Sequence, residues 1–381
     1  MREKTSEQGT GFLDKPIFGV WKITWWHVIY AALMVFILCT RFWALSTRGY
    51  EHDESIHAWE SWKLATGQSY RHDPVYHGPF LYHITALVFL LFGDNDYTGR
   101  LGATLGGIAI TLMPLFLRKW LGKKGILLTT ALMAISPVLM ARSRYIWHDQ
   151  WAIVFNLLMF IAILRYADER KTRDLYLAVA GLVLGYTGKS TTFITLAILW
   201  TFMFGIYIWQ WLHDRSRPWN DSPLSDLMLV LATLTLPMAT PLPVKMLGGN
   251  PVDYSQQGII FSGAVFVVLL VIGAAIGLWW DWRRWLVCAG IFYGIFIPLF
   301  TSLFTNGNGF ATGMVGMLGY WLTQQAVRRG SQPAHYYLML MSLYEFMPSL
   351  IGIGGTVYYL LRGDPQAAQG AEETKGRGGV A

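Results

Sequence analysis

The run Trp25-Trp-His-Val-Ile-Tyr-Ala-Ala-Leu-Met-Val-Phe-Ile-Leu-Cys-Thr-Arg-Phe-Trp-Ala-Leu45 leads, three residues on, into Arg48-Gly-Tyr-Glu-His-Asp-Glu-Ser-Ile-His57. The first stretch is long and apolar enough to cross a bilayer as a helix. The second sets two carboxylates, Asp53 and Glu54, side by side directly after it. Similar apolar runs recur to the end of the chain, and together they decide the fold class: an all-α, polytopic transmembrane helical bundle. Reading outward by hydrophobic run length places about ten spans, at 25–45, 101–117, 125–141, 151–166, 175–188, 192–212, 225–244, 258–280, 285–304 and 336–361. The first run begins near Trp25 and has no small-residue cleavage site, so it reads as a retained signal anchor. This divides the chain into a cytoplasmic N-terminus (1–24), a transmembrane domain (25–361) with an extracytoplasmic loop at 46–100, and a disordered tail (362–381) that is rich in Gly, Gln and Glu.

Of the 381 residues 54% are hydrophobic and 14% charged, with a formal net charge of +7. The excess positive charge does not imply nucleic acid, because Lys and Arg are scattered over short loops. With a cytoplasmic N-terminus, 19 of the 30 Lys and Arg fall on inside segments, as positive-inside topology requires. Cys39 and Cys288 both sit in apolar runs and provide neither a disulfide framework nor a zinc knuckle. In this orientation the 46–100 loop, Arg142–Gln150, Lys189–Thr191, Lys245–Gln257 and Thr305–His335 all emerge on the extracytoplasmic face of the plasma membrane.

The first loop should hold two surface helices, 53–66 and 78–92. Five of the nine histidines (His52, His57, His72, His77 and His83) lie in or just after its first part. Asp53 and His57, four residues apart, share a helical face. A loop carboxylate pair can simply be solvated. Flanked by histidines at a membrane boundary, it also suits general-base chemistry or a divalent metal held by Asp53, Glu54 and His57. Asp149 follows Arg142 and Arg144, which either neutralise it or hold a phosphate. Gly188-Lys-Ser-Thr191 resembles the end of a phosphate-binding loop, but residue 183 is Val and the preceding element is a membrane helix. Lys189 reads better as a cation at the outer boundary, open to a lipid-linked phosphate. Arg328-Arg329 needs an anionic partner, either a lipid headgroup or a substrate phosphate. Glu345 interrupts the last apolar run, where a carboxylate is costly and marks a functional site or a helix–helix hydrogen bond.

In their order these stretches resemble the GT-C superfamily of integral-membrane glycosyltransferases, in particular its protein-mannosyltransferase and aminoarabinose-transferase branch. The resemblance is carried by Tyr50-Glu-His-Asp-Glu-Ser, His77-Gly-Pro-Phe-Leu-Tyr, Gly99-Arg-Leu-Gly-Ala-Thr-Leu-Gly, Ala141-Arg-Ser-Arg through Asp149, and Gly185-Tyr-Thr-Gly-Lys-Ser. Over about 45–350 the chain looks most like a prokaryotic family labelled flippase-activity-associated, through Asn306-Gly-Asn-Gly, Tyr320-Trp-Leu-Thr-Gln-Gln and Tyr344-Glu345. It departs from the superfamily pattern at Gly78-Pro79, where a second proline is usual, and at Ser190, where an acidic residue is common.

The resemblance implies transfer of a sugar from a polyprenyl-phosphate donor to a lipid, glycan or protein acceptor at the cell envelope. Asp53 would act as base, Glu54 and Asp149 would orient the acceptor or hold a metal, and Lys189, Arg142 and Arg329 would bind the donor phosphate. His77 would shape the pocket, Arg144, Arg328 and Glu345 would complete the substrate-binding set, and the anomeric centre would invert. The alternatives are a non-enzymatic component of lipid-linked glycan flipping and an inactive scaffold for a transferase. No internal repeat of the kind transporters carry is visible.

Overall fold

The computed structural model describes residues 12–18, 21–213, 222–325, 332–333 and 335–362, and these are mostly helical. A short antiparallel ribbon, β1 (Pro16–Phe18) and β2 (Trp21–Thr24), leads into α1 (Trp25–Phe42). The first loop carries α2 (His52–Ala65) and α3 (Phe80–Phe92), close to the expected bounds. Next come α4 (Asp96–Leu112), α5 (Arg118–Ile135) and α6 (Pro137–Arg142), then α7 (Asp149–Glu169), α8 (Thr172–Gly188) and α9 (Thr192–His213). The chain continues through α10 (Pro223–Thr235), α11 (Pro241–Met246), α12 (Gln256–Phe300), α13 (Asn308–Ala311) and α14 (Met317–Gln324). It closes with α15 (Tyr336–Tyr344) and α16 (Phe346–Arg362).

Five helical stretches have the length and apolarity to cross a membrane: Trp25–Phe42, Asp96–Ile135, Asp149–Glu169, Thr192–His213 and Gln256–Phe300. The pair α15 and α16, bent by 101° at its break, makes a sixth if it counts as one span. That is fewer than the ten expected, for two physical reasons. The 17-residue α8 and the 13-residue α10 are short. The two longest stretches are each interrupted, at Gly122 (φ 62) and at Asp281 (φ −162, ψ 97). The chain doubles back at Asp281. A Cβ on Gly277 would lie 2.0 Å from Trp285 Nε1, whereas eight residues of straight helix would separate them by about 12 Å.

The main core is built from α7 to α10 and α12, with Tyr166, Tyr186, Phe292, Phe296 and Phe300 fully buried. α7 and α8 approach closely: a Cβ on Gly181 would come within 2.6 Å of the Met159 amide nitrogen. Small residues permit such crossings where lipid provides no hydrophobic drive. At the Arg170 end of α7, buried Asp226 accepts from Tyr166 Oη (2.7 Å), Arg170 and Trp280 Nε1 (3.0 Å), which ties α7, α10 and α12 together. Large apolar side chains such as Ile198, Phe202, Val271 and Leu338 point outward. A water-facing surface does not tolerate apolar area on that scale, but a lipid-facing one does. The chain is a membrane protein.

Two expectations fall outside the described residues: the Arg328-Arg329 pair and the tail beyond Arg362. The N-terminal 1–24 segment is described only from Phe12, and not at residues 19 and 20.

Candidate active site

α2 buries Glu54, His57, Ala58 and Ser61, an i, i+3, i+4, i+7 stripe that turns one face of the helix inward. Adjacent residues in a helix point about 100° apart, so Asp53 and Glu54 have different surroundings. Glu54 is fully buried. Its carboxylate accepts from Arg100 Nε (2.8 Å) and Nη2 (2.9 Å), Arg48 Nη2 (3.2 Å) and the backbone N–H groups of Glu51 (3.3 Å) and Ile146 (3.2 Å). Burial alone would raise its pKa, but the Arg100 and backbone hydrogen bonds hold it below the usual carboxylate value. Arg100 also donates to the carbonyls of Leu45, Arg48 and Gly49, at 2.6, 3.0 and 3.1 Å.

The Glu54–Arg100 pair therefore clamps the segment after α1, the start of α2, α4 and the 142–149 segment, leaving no Glu54 oxygen for an acceptor or a metal. Asp53 is half-buried in the first turn of α2, where the helix dipole favours its negative charge. It has no ion-pair partner within 4 Å among the described residues.

Behind Asp53 lies a packed group of rings. His57 Nδ1 is 3.0 Å from Tyr82 Oη, and the His57 ring stands 4.7 Å from His148 and 5.3 Å from Trp147. His148 in turn lies 5.4 Å from His77. Burial pushes the His57 pKa down to about 4, with Asp53 opposing the shift and the charges of His77 and Lys189 adding to it. Burial, reinforced by His57, His77 and Lys189, also takes His148 well below its ordinary value. Both imidazoles are neutral at pH 7. Asp53, His77 and Lys189 thus all lie within electrostatic reach of one buried ring.

The backbone that presents His77 is unusual. His77 has φ 66, in the left-handed region, and its carbonyl accepts from His72 Nε2 at 2.9 Å. Gly78 follows and abuts the end of α8: a Cβ there would fall 2.1 Å from the Thr187 carbonyl oxygen. The Gly78 in place of proline is therefore a packing requirement of this site.

Lys189 caps the C-terminus of α8 and pairs with Asp149 at the N-terminus of α7. Its ammonium stands 5.8 Å from the Trp147 ring centre, and the Arg142 guanidinium is at the same distance from that ring. Arg142 is exposed and has no acidic partner among the described residues. Below it opens a groove of about 520 Å³. Arg142, Asp149 and Thr191 line its mouth, and Ile153, Leu157, Phe160 and Leu199 line its length along α7 and α9.

Other expected site residues lie apart from this centre. Arg144 Nη2 donates to the carbonyls of Trp43 (2.5 Å) and Ala44 (3.2 Å), away from Asp149. Glu345 sits at the break between α15 and α16, where it accepts from Ser136 Oγ (2.5 Å) and the Val138 N–H (3.3 Å), so it serves as a helix-to-helix tie. Glu54 is occupied and His57 faces rings, so Asp53, Glu54 and His57 do not converge as ligands. Among the described residues no three His, Cys, Asp or Glu side chains form a metal-binding group. Arg100, Tyr82 and Trp147 were not anticipated as site residues. An arginine immediately before an apolar span was the available signal for Arg100.

Residues 76–239 match the family model of dolichyl-phosphate-mannose-protein mannosyltransferases, a GT-C type family of membrane glycosyltransferases. The match takes in His77, Arg142, Asp149 and Lys189, covers less than half the chain, and stops short of Asp53 on its N-terminal side. No curated protein matches the chain. What the matching stretch is similar to is thus a transferase that works at a membrane with a lipid-linked sugar.

Proposed function

We propose that the protein is a GT-C type glycosyltransferase. In this reading it moves a sugar from a polyprenyl-phosphate donor to a lipid, glycan or protein acceptor on the extracytoplasmic face of the plasma membrane. The observation that carries the reading is the groove with Arg142 and Asp149 at its mouth and apolar α7 and α9 side chains along its length. A polar end continuous with a lipid-facing trough matches a phosphate headgroup on an isoprenoid tail.

Arg142 and Lys189 hold the donor phosphate, and Asp149 keeps Lys189 in place. Preorganised cations stabilise charge that builds on the leaving phosphate in the transition state. Asp53, the carboxylate left unpaired, takes the proton from the acceptor nucleophile. The acceptor atom bonds to the anomeric carbon while the C–O bond to phosphate breaks and its electron pair leaves with the phosphate, inverting the centre. The neutral His57 and His148 rings, with Tyr82 and Trp147, form the dry wall behind Asp53. Counting each side of the Gly122 and Asp281 breaks as a span, together with α8, α10 and the bent α15–α16 pair, supports a bundle of about ten spans. The basic segments then face the cytoplasm.

The test is purified protein in lipid, supplied with polyprenyl-phosphate sugars, with mass spectrometry of lipids, glycans and proteins after incubation. Transfer by the wild type and a loss of at least about 100-fold in Asp53→Asn, the range of general-base contributions, is the expected result. Folded Asp53→Asn protein with full transfer refutes the assignment. Movement of intact donor across the bilayer without transfer would support the flipping alternative instead.

A further inference from the structure

A second cavity, of about 440 Å³, lies on the other side of Arg142 from the donor groove, between the end of α1 and α6. Thr47, Arg48, Arg142, Arg144 and Tyr145 line it. Three guanidinium groups line one cavity and repel each other, and neither Arg142 nor Arg144 has a carboxylate partner among the described residues. Glu54 is taken by Arg100, with Arg48 only at its edge (3.2 Å), and Glu51 accepts from Tyr145 Oη. Arg144 spends Nη2 on two backbone carbonyls, which leaves Nε and Nη1 without a partner among the described residues and fixes the guanidinium plane. Tyr145 lies beneath both Arg48 (5.3 Å) and Arg142 (5.7 Å), holding them apart in a fan.

The geometry points to a dedicated anion site in this cavity, distinct from the donor groove and built for a phosphate group. Two sources of phosphate have access to it. Exposed Trp43 closes α1 at the level where tryptophan anchors a span at the membrane interface, and the cavity opens beside it. A phosphate carried on a lipid headgroup reaches that level, and a soluble phosphate reaches it from the aqueous side. The shared chemistry is a phosphate mono- or diester held by a fork of arginines. The site stands whether or not the groove beside it binds a sugar donor, because Arg144 lines this cavity and not that groove.

The experiment uses the full chain in two arms. Native mass spectrometry in detergent compares retention of phosphatidylglycerol with that of phosphatidylcholine. Calorimetry in phosphatidylcholine nanodiscs measures binding of inorganic phosphate. The expected result is preferential binding in one arm, the lipid arm identifying a headgroup site and the calorimetric arm a soluble-phosphate site. Arg144→Gln should weaken that binding by about tenfold, the effect of losing one charge-assisted fork. Binding of either probe at the donor groove is common to both proteins, so only the fraction sensitive to Arg144→Gln counts. If Arg144→Gln lowers the melting temperature, Arg48→Gln carries the comparison, since Glu54 keeps its Arg100 partner there. Equal retention of the two lipids with no phosphate binding overturns the site, as does binding unchanged in folded variants.

Discussion

Breaking the Glu54–Arg100 pair tests the framework on which the site rests. Both side chains are fully buried, and Arg100 makes five hydrogen bonds, two to Glu54 and three to the carbonyls of Leu45, Arg48 and Gly49. Glu54→Gln leaves a buried guanidinium without its counter-charge. Arg100→Met leaves a buried carboxylate held by half-exposed Arg48 and two backbone N–H groups, and strips three carbonyls of their donor. Removing one partner of a buried pair costs about 3–5 kcal/mol, because the charge left behind stays desolvated. The double variant Glu54→Gln/Arg100→Met removes both charges, and should cost about 1–3 kcal/mol less than the sum of the single changes. Denaturant unfolding in detergent, followed by tryptophan fluorescence, gives the three values. Single changes below about 1 kcal/mol, or a double variant that is simply additive, would refute the clamp as the element that fixes the Asp53 loop.

Lys189→Met should raise the KM for a polyprenyl-phosphate donor by about 10–100-fold, the effect of losing a hydrogen bond to a charged group, with Asp149→Asn giving a smaller rise. An unchanged KM in folded Lys189→Met would remove Lys189 from the donor site. Acid should loosen the first loop. The His57 pKa lies near 4 in the folded protein against 6.5 unperturbed, so the unfolded chain binds more protons between these values. The stability contributed by the neutral ring is therefore complete above about pH 6.5 and is lost as pH falls through about 4, with an upper size of about 3 kcal/mol. Melting temperature measured from pH 7.5 to 4.5 should fall, and should fall less in His57→Phe; parallel curves would contradict the assignment.

Much of the fold was legible because the bilayer imposes a length rule that sequence can be read against, and both surface helices of the first loop fell close to their expected bounds. The span count was less legible. A reversal such as the one at Asp281 is written in only a few residues, and α8 and α10 are shorter than a simple crossing needs. The tie at Asp226 was invisible for a related reason. Its partners Tyr166, Arg170 and Trp280 come from three separate helices, and no local pattern marks their meeting. Lys189 and Asp149 were legible as residues of one face, but their pairing depends on α7 and α8 standing antiparallel. Arg144 and Glu345 were legible as charges near a membrane, but the hydrogen bonds each makes were not. In the structure the hydrogen bonds of Glu345 and of Arg144 Nη2 satisfy backbone and hydroxyl groups that lipid would leave unpaired.

The acidic pair itself contained more information than its chemistry suggested. Two adjacent carboxylates look equivalent as a motif, yet helical geometry cannot treat them alike. Residues 54, 57, 58 and 61 form the inward stripe of α2, and that spacing alone assigns Glu54 to the interior and Asp53 to its flank. A buried carboxylate must be paired, and the arginine at position 100, out of place in an apolar helix, supplies the pair. Once Glu54 is held in that way, Asp53 is presented beside the neutral His57 ring, on which Lys189 also acts, with no ion-pair partner of its own among the described residues. The difference follows from the helix period: the inner carboxylate fixes the loop, and the outer one stands on its flank without an ion-pair partner among the described residues.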